Sequence, residues 1–144
     1  MVRTAALGAR SRGPGVAWET GAMTAPRLAD ADLATLVPDW IDWAEAARQL
    51  GVSVAKVRTM IREHQLAAAV PMPGAGQQVP AAFVQDGLPV KGLPGLLTLL
   101  HDAGYDDREC IAWIFTDDDY PGRPIDALRE NRGSEVKRRA QALL

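Results

Sequence analysis

Cysteine is almost missing from this sequence: Cys110 stands alone among 144 residues. An intramolecular disulfide is therefore excluded, and no set of cysteines and histidines has metal-motif spacing, which suits a reducing compartment. Long apolar runs are missing as well. No stretch approaches the roughly 18 residues of a membrane span, and the basic N-terminus has no apolar stretch of the signal-peptide kind. The expectation is a protein retained in the cytoplasm. An excess of positive charge is also lacking, since 16 Lys and Arg face 18 Asp and Glu, for a formal net charge of -2. Affinity for nucleic acid is dominated by cations that displace counterions from phosphates, so a large electrostatic footprint is excluded. No segment compensates: residues 1–35 hold four Arg against three acids, residues 36–91 five basic residues against five, and residues 92–144 seven against ten. Binding to DNA must come from a local patch and fall quickly with salt.

What is present is enough apolar material, 47% of residues, for one compact domain or two very small ones sharing a core. Cys110 reads as a small buried hydrophobe. Residues 1–35 are rich in Gly, Ala, Arg, Ser and Thr, contain Gly13-Pro14-Gly15, and show no sustained apolar period. They read as a disordered tail that cannot offset its own ordering entropy. Met23-Thr24-Ala25-Pro26 within it also reads as a translation start. Order is expected from about Leu36. Residues 37–43 alternate polar and large apolar side chains, as a short strand or an extended lead into a helix capped by Asp42. Trp43, Ala46, Ala47 and Leu50 then follow helical spacing up to Gly51, and Ser53 caps a second helix with Val54, Val57 and Ile61 on its buried stripe.

Residues 65–83 read as a two-stranded hairpin, 66–70 against 78–83, turning around Pro73-Gly74-Ala75-Gly76, with Pro80 marking an edge strand. Helical spacing resumes at Gly92. Leu93, Leu96, Leu97 and Leu100 make one apolar face, Gly104 stops it, and Asp106 or Asp107 caps a helix in which Ile111, Ile114 and Phe115 pack and Trp113 borders the core. Pro124 opens a short helix containing Ile125 and Leu128, and Gly133-Ser134 leads into the last helix. The fold class expected is mainly α: a winged helix-turn-helix with a small β-hairpin wing over residues 36–89, and a helical C-terminal subdomain over residues 90–144 packed on it.

Residues 43–63 are the most informative stretch. With Val54, Val57 and Ile61 inward, the second helix shows Ser53, Ala55, Lys56, Arg58, Thr59 and Arg62 on its other side. These side chains reach phosphates and base edges when such a helix lies in a major groove. The bland alternative is a solvated helix face; the helix-turn-helix before it and the hairpin after it favour DNA. Residues 65–89 hold no Lys or Arg, so that hairpin offers DNA only backbone, Gln77 or Gln78, or serves packing instead. His64 and His101 stand isolated, with no nucleophile or carboxylate at motif spacing, and read as helix-end or packing residues. Asp117-Asp118-Asp119 on a loop would point in different directions, so no metal site is expected there. Nothing reads as an active site, and no cofactor is implied.

Residues 43–66 resemble the helix-turn-helix of MerR-like and excisionase-type winged DNA-binding domains. A closer resemblance is carried by residues 90–105, VKGLPGLLTLLHDAGY, followed by Ala112-Trp113-Ile114-Phe115-Thr116, Arg123-Pro124-Ile125-Asp126-Ala127-Leu128 and residues 136–142, VKRRAQA. Over about residues 39–144 the chain resembles a small actinobacterial family of winged-helix DNA-binding proteins whose mycobacterial member is regulated by a serine/threonine protein kinase. That resemblance implies a transcriptional regulator or nucleoid-associated factor with double-stranded DNA as partner. It also implies a kinase partner that phosphorylates threonine in the N-terminal tail, with Thr4 nearest in position and Thr20 and Thr24 as further candidates. Each phosphate would add about -1.5 to -2 charges and repel DNA. The residues from Trp113 onward also resemble the toxin-binding domain of antitoxins of the Xre and MbcA type. This implies the alternative reading, an antitoxin-like or adaptor module that holds a protein partner on its C-terminal helices.

Overall fold

The computed structural model describes residues 28–116 and 122–144. Its first elements are a 3-10 turn, Leu28–Asp30, and a one-turn helix α1 (Leu33–Leu36). The expectation of disorder up to residue 35 is corrected here. Leu33 and Val37 are each 1% exposed, and Leu28, Ala31 and Leu36 pack against the same core. Arg108 donates to the carbonyls of Ala29 and Ala31. The segment is thus held by a guanidinium far along the chain, a constraint that no local pattern displays. Thr4, Thr20, Thr24 and the Asp117-Asp118-Asp119 run lie outside the described residues.

A two-residue strand β1 (Trp40–Ile41) leads into α2 (Trp43–Leu50), and α3 (Val54–Arg62) follows after three residues. The caps are those the sequence implies. The Asp42 carboxylate accepts from Glu45 N at 2.8 Å, and Ser53 Oγ accepts from Lys56 N at 3.0 Å, each satisfying a free amide of a first helical turn. Gly51 takes φ +69, and Val52 N donates to Ala47 O at 3.0 Å, closing α2 with a Schellman motif. A Cβ at Gly51 would meet nothing within 4 Å, so its left-handed backbone, not crowding, is what asks for glycine. Ala46, Ala47 and Val57 form a small cluster where the two helices cross. The expected inward stripe of α3 is corrected at one position: Val54, in the first turn, is 42% exposed, and Met60, at 6%, is buried in its place. Met60 reaches past α2 into the main core.

The expected hairpin over residues 65–83 forms only in part. Ala69 and Gln78 exchange two backbone hydrogen bonds, at 3.0 and 2.9 Å, as an isolated bridge. Strand β2 (Val79–Pro80) pairs instead with β1, Trp40 opposite Pro80 and Ile41 opposite Val79. The reason is burial: Leu66, Ala67, Ala68 and Ala69 are all at or below 6% exposure, so the run passes through the core instead of showing one face to water. A 3-10 turn, Ala81–Phe83, then precedes β3 (Val84–Gln85), which pairs with β4 (Leu88–Pro89). Asp86 (φ +55) and Gly87 (φ +79) make the tight turn between them. Both central residues have positive φ, as a type I′ hairpin requires.

Four helices complete the chain: α4 (Leu93–Asp102), α5 (Asp107–Phe115), α6 (Pro124–Arg129) and α7 (Gly133–Gln141). Asp106 caps α5 in a full capping box with Glu109. Leu93, Leu96, Leu97 and Leu100 are buried, as are Ile111, Ile114, Phe115, Ile125 and Leu128. The apolar face of α4 is consumed inside the molecule and is no docking stripe. Cys110 is buried, and burial, with Asp107 next in weight, pushes its thiol well above the ordinary range. One continuous core runs from Leu33 through Met60, Leu66 and Phe83 to Ala140. Trp43, Leu50, Ile61 and Trp113 line its margin. His64 and His101, isolated in the sequence, stack in space with ring centroids 3.9 Å apart. Among the described residues no helix is long and apolar enough to cross a membrane.

Leu97→Ala is expected to cost on the order of 2–5 kcal/mol in chemical denaturation, because it opens a cavity at a fully enclosed site. A chain starting at Val37 is expected to melt well below one starting at Leu28, since it loses Leu33 and both carbonyl partners of Arg108. Equal midpoints in calorimetry would show residues 28–36 to be dispensable.

Candidate nucleic-acid interface

Helix α3 is aimed by what it buries. Val57 and Met60 are locked in, Ile61 is half-buried, and at about 100° per residue the opposite side is centred on Ala55, Thr59 and Arg62. Ser53, Ala55, Lys56, Arg58 and Arg62 are exposed, and Thr59 is half-exposed. The structure therefore brings all six of these residues to the solvent side of one helix. Their states differ. Ser53 Oγ serves as the helix cap. The Thr59 hydroxyl donates to Ala55 O at 3.2 Å and accepts from Arg62 Nη2 at 3.4 Å, which steers the Arg62 guanidinium along the helix surface. Arg58 leans to one edge, its guanidinium carbon 5.6 Å from the ring centroid of Trp43 on α2, a cation–π distance. Lys56 occupies the opposite edge, where the exposed Glu63 ends the helix.

The cations of α3 differ from most of the arginines elsewhere. Among the described residues none of Lys56, Arg58 and Arg62 is in an ion pair. On α2, by contrast, Arg48 pairs with Glu45, Nε to Oε1 at 2.9 Å. Hydrogen bonds from Arg48 and then Gln49 hold the Glu45 carboxyl at about 2, so that pair stays ionised and self-neutralising at any pH near neutrality. Arg123 pairs with Asp126, and Arg132 with Glu130 and Glu135. Arg108 and Arg129 are spent on backbone carbonyls. The outward face of α3 thus sets three cations outside any described ion pair beside polar and small side chains; Lys137 and Arg138 on α7 are likewise exposed.

The β3–β4 hairpin is a part that sequence reasoning missed. Its signal was the Asp86-Gly87 dipeptide, the strongest short-range hairpin cue, lying just beyond the stretch read as a hairpin. Its base is fixed by Arg129, whose Nη1 donates to Ala82 O at 2.8 Å and Val84 O at 3.2 Å. Gly87 lies against α2, where a Cβ would meet Gln49 O at 3.7 Å. With Asp86 at its tip and Leu88 66% exposed, this hairpin brings no cation. Gln77 and Gln78 sit on the partial hairpin that follows α3, where Gln78 makes the bridge to Ala69.

The order of parts is that of a winged helix-turn-helix, two capped helices followed by a hairpin, with four helices after it. Known proteins share it. The family model described as "DNA-binding protein Rv2175c, wHTH domain" matches residues 29–84. The model described as "Rv2175c C-terminal domain of unknown function" matches residues 90–144. The curated relative "DNA-binding protein Rv2175c" of Mycobacterium tuberculosis (strain ATCC 25618 / H37Rv) is 40% identical over 116 residues, 71% of this chain and 78% of that protein. Among solved structures, the NMR structure of Rv2175c superposes with a TM-score of 0.64 at 39% identity, over 73% of this chain and 80% of that one. The first of these matches begins at residue 29, within the 3-10 turn Leu28–Asp30, and the second covers the helices that complete the core: the chain belongs to the Rv2175c family of winged helix-turn-helix proteins.

Proposed function

We propose that this chain binds double-stranded DNA through α3, as a transcriptional regulator or nucleoid-associated factor of the cytoplasm. The observation that carries the reading is the set of three cations, Lys56, Arg58 and Arg62, exposed and outside any described ion pair on a helix whose other side is anchored by Val57 and Met60. The relative's name, DNA-binding protein, supports it. In this reading Lys56 meets phosphate as a point charge, while the guanidinium forks of Arg58 and Arg62 reach phosphates or guanine edges. Ala55 is small enough to let the helix approach the bases, Thr59 offers a hydroxyl among them, and Ser53 secures the first turn. The β3–β4 hairpin, lacking cations, steadies α2 and contributes little charge. No reaction and no cofactor are assigned.

Three cations on an otherwise acidic chain make a modest, salt-steep binder. Replacing Lys56 and Arg62 together by Ala is expected to weaken DNA binding at least tenfold in a titration, and to lower the slope of log affinity against log salt by about one unit per lost phosphate contact. The melting temperature should stay close to the parent's, since neither side chain is buried. A folded double variant that binds as the parent does would move the interface to Lys137, Arg138 and Arg139 on α7.

In the same reading the N-terminal threonines, Thr4 or Thr24 foremost, take phosphate from a serine/threonine kinase, adding charge of the sign that DNA repels. Chain phosphorylated there is expected to bind DNA more weakly than unmodified chain at equal salt. Identical binding isotherms for the two forms would remove the switch and leave the interface standing.

A further inference from the structure

The end of α3 carries a feature that DNA binding does not use. Four helices among the described residues, α2, α3, α4 and α6, close with the same pair of backbone hydrogen bonds, in which the residue after the last turn is left-handed. At three of these ends that residue is Gly51, Gly104 or Asn131, the types that tolerate positive φ. At the end of α3 it is His64, with φ +62. A histidine there carries a backbone cost that glycine would remove, and its ring is not idle. It stacks on His101 in the last turn of α4, the planes 25° apart. His101 Nε2 is 2.9 Å from Asp107 Oδ1 at the start of α5. Asp107 Oδ2 accepts from Ala68 N at 3.2 Å. His64 Nδ1 is shut off from solvent and has no hydrogen-bond partner among the described residues. One ligand atom from each of His64, His101 and Asp107 lies within 4.8 Å of the others.

We propose that His64, His101 and Asp107 form a binding site for a divalent transition-metal ion of the zinc class, tying the end of α3 to α4 and α5. Two imidazole nitrogens and one carboxylate oxygen are a borderline-hard donor set that suits zinc, cobalt or nickel and not magnesium or calcium. A fourth position falls to water. With bonds of about 2.0–2.2 Å two donors of a tetrahedral ion stand roughly 3.4 Å apart, so the His101 Nε2–Asp107 Oδ1 pair, 2.9 Å apart, opens slightly while the His64 ring turns out of the stack toward them. When His101 Nε2 becomes a ligand its ring proton resides on Nδ1, so the neutral ring is kept. The Ala68 N–H bond to Asp107 Oδ2 survives and orients the carboxylate, the supporting contact that metal-bound carboxylates ordinarily have. The chain contains two histidines and one cysteine, and the cysteine is buried, so background sites for such an ion are few.

The test is a titration of the full chain, stripped with chelator, with cobalt(II) alone, followed by competition with zinc. Intense visible absorption of the four-coordinate type, lost on adding one equivalent of zinc, together with a zinc-dependent rise in melting temperature, is the expected result. His64→Gly is the decisive variant. Glycine suits the left-handed backbone, so without metal the variant should melt at or above the parent's temperature, yet its cobalt bands should vanish and its zinc affinity fall at least tenfold. His101→Ala and Asp107→Asn should lose affinity likewise. Absence of a cobalt spectrum and of zinc stabilisation in the parent, or a His64→Gly chain that binds zinc as tightly as the parent, overturns the site. No DNA enters these measurements, so their outcome is independent of the reading given to α3.

Discussion

Everything in this molecule is arranged around a stretch of backbone that goes through the core. After α3 the chain runs inward as Leu66-Ala67-Ala68-Ala69, and a peptide group buried without a partner is costly enough to undo the gain from its side chains. Two devices answer that. The Ala68 amide is taken by the Asp107 carboxylate, and both polar groups of Ala69 are matched by Gln78. Three alanines in succession leave room for helices to close on both sides of the run. The orientation of α3 follows from this, because Met60, one turn earlier, is held in the same core.

The distribution of arginine follows a similar economy. Arg108 and Arg129 hold carbonyls that regular secondary structure leaves unmatched, one set at the N-terminal segment and one at the root of the β3–β4 hairpin. Arg48, Arg123 and Arg132 are neutralised by carboxylates one turn or less away. The cations of α3 escape both fates for a sequence reason: between Ser53 and Arg62 there is no acidic residue to pair with. A net charge near zero therefore conceals a local surplus, and the local surplus is what a polyanion meets.

Much of this was legible before any coordinates, and the legible parts share a cause. Asp42, Gly51, Ser53, Gly104 and Pro124 act on backbone groups within a few residues of themselves, so their meaning can be read in place. The leucines of α4 announce their burial by spacing alone. What could not be read depends on partners distant in sequence. The segment at Leu33 is ordered because Arg108 reaches it. Val54 and Met60 exchange roles because the main core, not α2 alone, decides which side of α3 is inner. Residues 66–70 look like a strand because buried alanine and leucine runs have no period to betray them. The two histidines seemed solitary because the chain must fold completely before they meet. The Asp86-Gly87 turn is the exception: its cue was local and was passed over in favour of the proline- and glycine-rich loop before it.

The continuity of the core has a consequence for how such a protein can be divided. The two family models part between residues 84 and 90, and that seam invites treating the helix-turn-helix as a cassette. The seam is one of sequence only. Residues 66–69, Phe83 and Met60 are covered from both sides, so a fragment ending there would present an apolar ribbon with bare peptide groups, the surface that drives self-association. Grafting this helix-turn-helix onto another protein would require carrying its four following helices along. For the same reason a core substitution on either side of the seam is felt by the packing of the other.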